Sequence, residues 1–276
     1  MTFFFVVDHN AERGVLIAVL SLLKAERGEE VHVYILTMRA KSKSRSFKPF
    51  SQHAADFIRS LIVADNPNSS LELIDCTENF IKEPPTANMG TRFTPYAMLR
   101  LFADELPQIP DRILYLDDDV IIRRPVDQFY TQDLTGTELV GLLDYFGRFF
   151  FHNQKKIFDY LNSGVLLLNM PEIKRTGLFK RVRHLMQVKK MFLPDQTATN
   201  ILAKEKRFAP KKVQRDRQYK LQDRSVIQHF TTSFRFWPYF RTQTVKPWDV
   251  KRVHSVLHLH ENDDLLNEYL KLKDQL

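Results

Sequence analysis

The sequence predicts an α/β fold, a sheet whose two faces are both covered by helices. Two observations carry this. Apolar runs of strand length alternate with stretches of helix length over the first two-thirds of the chain. The 276 residues are 43% hydrophobic and include 22 Phe, enough for a core of single-domain size and too apolar for a disordered chain. No internal repeat or low-complexity linker divides the chain.

Phe3–Val7 reads as a first buried strand, and Gly14–Ala25 as a helix apolar on most faces. Val31–Thr37 is a second strand, followed by a basic, Ser-rich loop over Met38–Phe47. Pro49–Val63 places Phe50, Ala54, Phe57, Ile58 and Leu61 on one helical face. Leu71–Asp75 is a third strand. A helix opens at Thr94 or Pro95 and stops before Pro107. Arg112–Leu116 is a fourth buried strand, ending in Asp117-Asp118-Asp119 and followed by the apolar Val120–Ile122. Glu138–Leu143 and Val165–Leu168 are further strands, and Met170–Val188 and Asp195–Ala203 read as helices. After Lys204 the periodicity weakens, and from Asp249 a polar helical tail follows. The expected organisation is a catalytic core over 1–203 and a basic C-terminal extension over 204–276.

The formal charge of +8 favours anionic partners, and nine Lys or Arg fall between Lys204 and Arg224. No zinc spacing, basic heptad or aromatic RNA-binding motif accompanies them, so nucleic acid is not an expected partner. The basic stretch, with the aromatic run Phe234–Arg241, suits either peripheral contact with an anionic membrane or an acceptor pocket. The longest apolar stretch, Val15–Leu23, is about half of the ~20 residues a membrane span needs, and Met1–Val7 lacks the features of a signal peptide. The one cysteine, Cys76, ends an apolar run and reads as a buried structural thiol. These features place the protein in the cytoplasm, with the inner face of the plasma membrane as a second location.

The aspartate cluster is the strongest chemical signal. In an open α/β sheet, ligands bind beyond the carboxyl ends of the strands. Residues two apart in an extended segment point the same way, so Asp117 and Asp119 converge while Asp118 turns elsewhere. Two hard carboxylates without a thiolate suit Mn²⁺ or Mg²⁺, which fill other positions with substrate phosphates. Three adjacent acids also serve as a turn or a helix start. The string Asp117–Val120 matches a haloacid-dehalogenase-like phosphotransferase as well, although that motif usually opens its domain.

Taken with Tyr115–Ile121, the run Leu161-Asn162-Ser163-Gly164-Val165-Leu166-Leu167-Leu168-Asn169 resembles glycosyltransferase family 8, which includes glycogenin and bacterial galactosyl- and glucosyltransferases of surface glycans. Val6–Asn10, Tyr96–Arg100, Leu193–Gln196, His229-Phe230 and Lys246-Pro247-Trp248 occur in the family's order. The resemblance implies a GT-A fold, a Rossmann-like mixed sheet flanked by helices. It also implies a UDP-glucose or UDP-galactose donor, Mn²⁺ dependence and retention of anomeric configuration. The acceptor would be a saccharide, or a lipid-linked or protein-linked glycan. Matched residue by residue, Asp8 and Asn10 fall in the nucleoside-binding loop, and Arg100 is a basic residue facing the donor. Asp117, Asp119 and His229 match the metal ligands, and Asp118 lies among the donor-binding residues. Asp144 and Asn162 match positions for the sugar or acceptor, Asp195 and Gln196 the pair beside the anomeric carbon, and Lys246 the diphosphate-binding lysine. The chain departs from the family in placing Lys246 seventeen positions after His229 with no Gly between them, and in carrying Thr197 where some relatives have an acid. A non-catalytic partner subunit of the same fold is the alternative class.

Overall fold

The computed structural model describes residues 1–41, 46–89, 95–144, 160–210, 214–216, 225–235 and 241–276. The centre is a seven-stranded sheet in the order β10-β8-β9-β6-β1-β2-β5. These strands are β1 (Thr2–Val6), β2 (His32–Thr37), β5 (Ser70–Asp75), β6 (Arg112–Leu116), β8 (Leu139–Leu143), β9 (Leu161–Asn169) and β10 (Lys206–Phe208). Strands β1, β2, β5 and β6 pair in parallel, β9 runs antiparallel to both β6 and β8, and β10 pairs in parallel with β8. The sheet is therefore mixed, with one reversed strand. Its order grows from β1 towards β5 on one side and towards β6 on the other, so the switch point falls between β1 and β6. That is where an α/β sheet opens a crevice for a ligand.

The Phe-rich start explains how the sheet is held. Phe3, Phe4 and Phe5 are all fully buried. Alternation sends Phe3 and Phe5 into the core beneath α1 (Glu12–Ala25) and α2 (Gln52–Asp65), and Phe4 into the core on the other face. Each such side chain contributes on the order of 1.5–3 kcal/mol relative to exposure. The second core collects Tyr96, Met98, Leu99 and Phe102 from Pro95–Glu105, a run of 3-10 geometry. It also takes residues of α3 (Thr77–Lys82) and of the helices after β9.

Two expectations are corrected. The helix expected over Met170–Val188 is two helices, α5 (Met170–Thr176) and α6 (Leu178–Val188). Gly177 separates them at φ 64°, a left-handed conformation that glycine adopts without a Cβ clash. The loop expected over Met38–Phe47 contains two short paired strands, β3 (Ala40–Lys41) and β4 (Ser46–Phe47). Among the described residues, helices α4 (Asp127–Tyr130) and α7 (Pro194–Leu202) also belong to this part of the chain.

The chain beyond residue 204 is woven into this framework. Besides β10, it supplies β11 (Gln214–Asp216) and β12 (Ile227–His229), which form a three-stranded sheet with β7 (Val120–Ile122). The hairpin of β13 (Ser233–Arg235) and β14 (Arg241–Gln243) follows. Helices α8 (Val250–Leu257) and α9 (Asp263–Leu272) then close the chain, α9 lying against α1. Much of the basic stretch and of the aromatic run noted above, residues 211–213, 217–224 and 236–240, lies outside the described residues. Among the described residues no helix is long and apolar enough to cross a membrane.

Candidate active site

The sheet topology gathers the candidate residues on one edge. Asp8 follows β1, Asp117 follows β6 and Asp144 follows β8. Because β9 is reversed, its first residues, Leu161 to Gly164, lie at the same edge as the carboxyl ends of its neighbours. Asp8 caps the turn His9–Ala11, accepting from the Asn10 amide at 2.9 Å, and Asn10 Nδ2 lies 3.4 Å from its other oxygen.

Antiparallel pairing of β12 with β7 sets His229 opposite Val120, one residue beyond the aspartates. The Phe230 amide donates to the Asp119 carbonyl at 2.9 Å, and the Asp117 amide donates to the Gly164 carbonyl at 2.8 Å. With the backbone fixed on both sides, His229 Nε2 lies 2.9 Å from Asp119 Oδ1 and 3.5 Å from Asp117 Oδ2. One ligand atom from each of these three residues falls within 4.8 Å of the other two. Lys246 Nζ pairs with the second oxygen of Asp119 and lies 3.3 Å from the Phe230 carbonyl. The β13–β14 hairpin accounts for the long spacing before this lysine. Thr232 and Thr244 close its base with a 3.0 Å hydrogen bond, returning the chain to its starting point.

The two carboxylates draw positive charge to this point, and a metal ion here takes the place of the proton on His229. Burial opposes charge on His229, but Asp119 and Asp117 outweigh it and lift the imidazole to about 10. Burial likewise opposes charge on Asp119, and His229 and Lys246 overcome it, holding that carboxyl well below the usual range. Asp118 responds in the opposite sense, pushed up to about 7 by burial and then by the charge of Asp119. Two carboxylates and an imidazole around one point form a donor set that fits Mn²⁺ or Mg²⁺.

Two glycines permit this packing. A Cβ on Gly164 would stand 2.2 Å from His229 Cε1 and 2.7 Å from Asp117 Oδ2. A Cβ on Gly14 would stand 2.5 Å from the Asp118 carbonyl oxygen, 2.8 Å from the Trp248 ring and 2.9 Å from Asp118 Oδ2. Asp118 thus faces α1 and Trp248, away from the point where Asp117, Asp119 and His229 meet.

A second constellation adjoins the first. Arg100 donates to the carbonyls of Ala97 and Ser163, and its Nη2 lies 2.8 Å from Asp195 Oδ2. Its guanidinium rests 4.1 Å above the Tyr115 ring centroid. Gln196 Oε1 accepts from the Ser163 hydroxyl at 2.9 Å and its amide at 3.2 Å, and Gln196 Nε2 donates to Asp144 Oδ2 at 2.8 Å. Asn162 Oδ1 accepts from the Gly164 amide at 2.9 Å, holding the turn that presents these groups. Burial raises the Asp195 carboxyl against the pull of Arg100.

Tyr115 and Ser163 stand within motifs quoted from the sequence without a role of their own, yet both join the site. The Tyr115 hydroxyl donates to Asp117 Oδ1 at 2.6 Å, leaving Oδ2 towards His229. Tyr115 lies in β6, two residues before Asp117, and the alternation read from the sequence for Asp117 and Asp119 extends backwards to it. Ser163 links Arg100 to Gln196 through its carbonyl and hydroxyl, which no local pattern announces.

Comparison with known proteins agrees with this architecture. The profile described as Glycosyl transferase family 8 matches residues 2–251. Among solved structures, galactosyltransferase LgtC in complex with donor and acceptor sugar analogs superimposes with a TM-score of 0.69 at 18% identity, covering 100% of both chains. The bifunctional glycosyltransferase WbbM matches 98% of this chain and 51% of its own, with a TM-score of 0.69 at 12% identity. GlyE of Streptococcus pneumoniae matches 99% of this chain and 64% of its own, with a TM-score of 0.62 at 19% identity. At such identities these likenesses establish the GT-A fold. A comparison with curated proteins gave no match.

Proposed function

The chain belongs to glycosyl transferase family 8, and from that premise we propose that it is a metal-dependent, retaining hexosyltransferase. It moves glucose or galactose from a UDP-sugar to a saccharide acceptor, free or as a lipid-linked or protein-linked surface glycan. The family assignment sets aside the phosphotransferase reading of Asp117–Val120. The observation that carries the proposal is the convergence of Asp117, Asp119 and His229 beside Lys246 at the switch point of the sheet.

In this reading Asp117, Asp119 and His229 hold Mn²⁺ or Mg²⁺, which supplies positive charge to a departing diphosphate. Lys246 adds a fixed ammonium on the same side. Asp8 and Asn10, beyond β1, serve the nucleoside, and Asp118 orders the floor of the donor site through α1 and Trp248. Asp144, Asn162 and Gln196 hold sugar hydroxyls. The sugar becomes oxocarbenium-like as its bond to phosphate breaks.

Retention by same-face attack of the acceptor suits these residues better than double displacement. Asp195 is held by Arg100, and Gln196 is held between Ser163 and Asp144, so neither is poised as a nucleophile. Membrane contact by the basic and aromatic C-terminal stretches belongs to the same proposal, with a cytoplasmic enzyme acting at the inner face of the plasma membrane. The test is a panel of UDP-sugars incubated with protein and Mn²⁺, with and without saccharide acceptors. Transfer, or slow hydrolysis, of UDP-glucose or UDP-galactose is the expected result. No turnover and no UDP binding would identify a non-catalytic partner subunit instead.

A further inference from the structure

The described residues hold one further group of side chains whose ligand atoms lie in mutual reach: His254, His260 and Asp263. His254 lies in the last turn of α8, Asp263 opens α9, and His260 lies in the connection between them. His254 Nε2 is 2.7 Å from Asp263 Oδ1, and His260 Nδ1 is 3.1 Å from Asp263 Oδ2. One ligand atom from each residue falls within 4.8 Å of the other two, and the imidazole rings stack at 4.6 Å between centroids.

The backbone is bent to bring them together. Helix α8 ends at His258 with φ 53° and ψ 39°, the left-handed region. Among the described residues His258 alone adopts a positive φ without being glycine. Such a conformation is costly for a residue with a Cβ and persists where surrounding contacts enforce it. The His258 amide turns back to the His254 carbonyl at 3.1 Å, and the Leu259 amide to Val253 at 3.3 Å. This reversal carries His260 back over His254.

Two imidazole nitrogens and one carboxylate oxygen make a borderline donor set, distinct in kind from the two-carboxylate set at Asp117 and Asp119. We propose that His254, His260 and Asp263 form a second divalent-cation site of the Zn²⁺ class. The partial exposure of all three leaves a position for water. The ion locks the connection between α8 and α9. Its effect reaches the catalytic edge through Asn262, whose side-chain amide donates to Gln228 Oε1 at 2.9 Å. Gln228 is fully buried and immediately precedes His229 in β12. On the other side, Asp264 pairs with Lys24 of α1. The proposed ion thus braces, from outside, the strand that presents His229.

The test uses the untagged full chain and Zn²⁺ alone, in equilibrium dialysis and thermal melts. Asp119→Asn serves as the background, so that the first cluster does not contribute. In that background Zn²⁺ binds and raises Tm. Adding His260→Ala or Asp263→Asn weakens binding at least tenfold and abolishes the shift. His260 is largely exposed, so its removal leaves the fold intact. Equal Zn²⁺ binding with and without His260, or no Zn²⁺ binding in the Asp119→Asn background, overturns the proposal. Either result leaves the glycosyltransferase reading untouched.

Discussion

Replacing Gly164 by Ala tests the closest packing at the site with a single methyl group. The new Cβ would meet His229 Cε1 at 2.2 Å, Asp117 Oδ2 at 2.7 Å and His229 Nδ1 at 2.9 Å. To reach an ordinary contact of 3.4 Å, the ring has to retreat by about 1.2 Å. The strand cannot yield easily, because the Gly164 carbonyl accepts from the Asp117 amide and its own amide is held by Asn162. His229 therefore moves relative to Asp117 and Asp119. Overpacking of this kind costs roughly 1–3 kcal/mol of stability, which lowers Tm by a few degrees, about 2–4 °C per kcal/mol for a chain near this size. Misplacing a metal ligand by ~1 Å costs on the order of a hundredfold in rate. Calorimetric titration of Mn²⁺, paired with donor turnover, reads both effects. The expectation is a ten- to hundredfold loss of Mn²⁺ affinity, on the order of losing a supporting contact to a ligand. A Gly164→Ala protein with unchanged Mn²⁺ affinity and turnover would refute the placement of His229 in the metal site.

Three further outcomes follow from the same geometry. Tyr115→Phe keeps the ring beneath Arg100 but removes the hydrogen bond to Asp117; Mn²⁺ affinity falls roughly tenfold with little change in Tm, and an unchanged affinity counts against Tyr115 orienting that carboxylate. Lys246→Met removes the ammonium beside Asp119; kcat falls on the order of a hundredfold while the fold persists, and an unchanged kcat places Lys246 outside the reaction. Burial, then Asp75, pushes the Cys76 thiol up to about 12. Its folded value lies above the unfolded one, so the stabilisation from keeping it neutral is complete below about pH 8.5 and is lost as pH rises towards 12. A thiol reagent at pH 8 therefore labels Cys76 only after denaturant is added, and rapid labelling of the native protein contradicts this.

What was legible in the sequence follows from which signals are local. Strands β1 and β6 showed as uninterrupted apolar runs because helices bury both their faces. The aspartates announced themselves by charge at the end of such a run; the extended geometry expected for them is instead a turn at Asp118-Asp119, which still brings Asp119 beside Asp117. The period of two also pointed to Tyr115, had it been carried back one step. Gly177 looked like one more helix residue, since a left-handed hinge leaves no hydrophobic signature. The parts after residue 204 were hardest to read, because β10 and β12 are each three residues long and gain their meaning from β8 and β7. The distance from His229 to Lys246 looked like a break in the family's pattern. In the structure Thr232 and Thr244 meet across that insertion, and the two ends of the gap are neighbours. Ser163 and Gln196 are joined by a hydrogen bond between β9 and α7, a tertiary fact with no trace in spacing.

The central claim is that Asp117, Asp119 and His229 bind a divalent ion that in turn holds a nucleotide diphosphate. Its most direct test is calorimetric titration of UDP into the protein with and without Mn²⁺, repeated for Asp119→Asn. The account predicts that Mn²⁺ strengthens UDP binding to the unmodified protein by at least about tenfold, ~1.4 kcal/mol, and has no effect on the variant. UDP binding that ignores Mn²⁺, or a variant that retains the full Mn²⁺ effect, would contradict it.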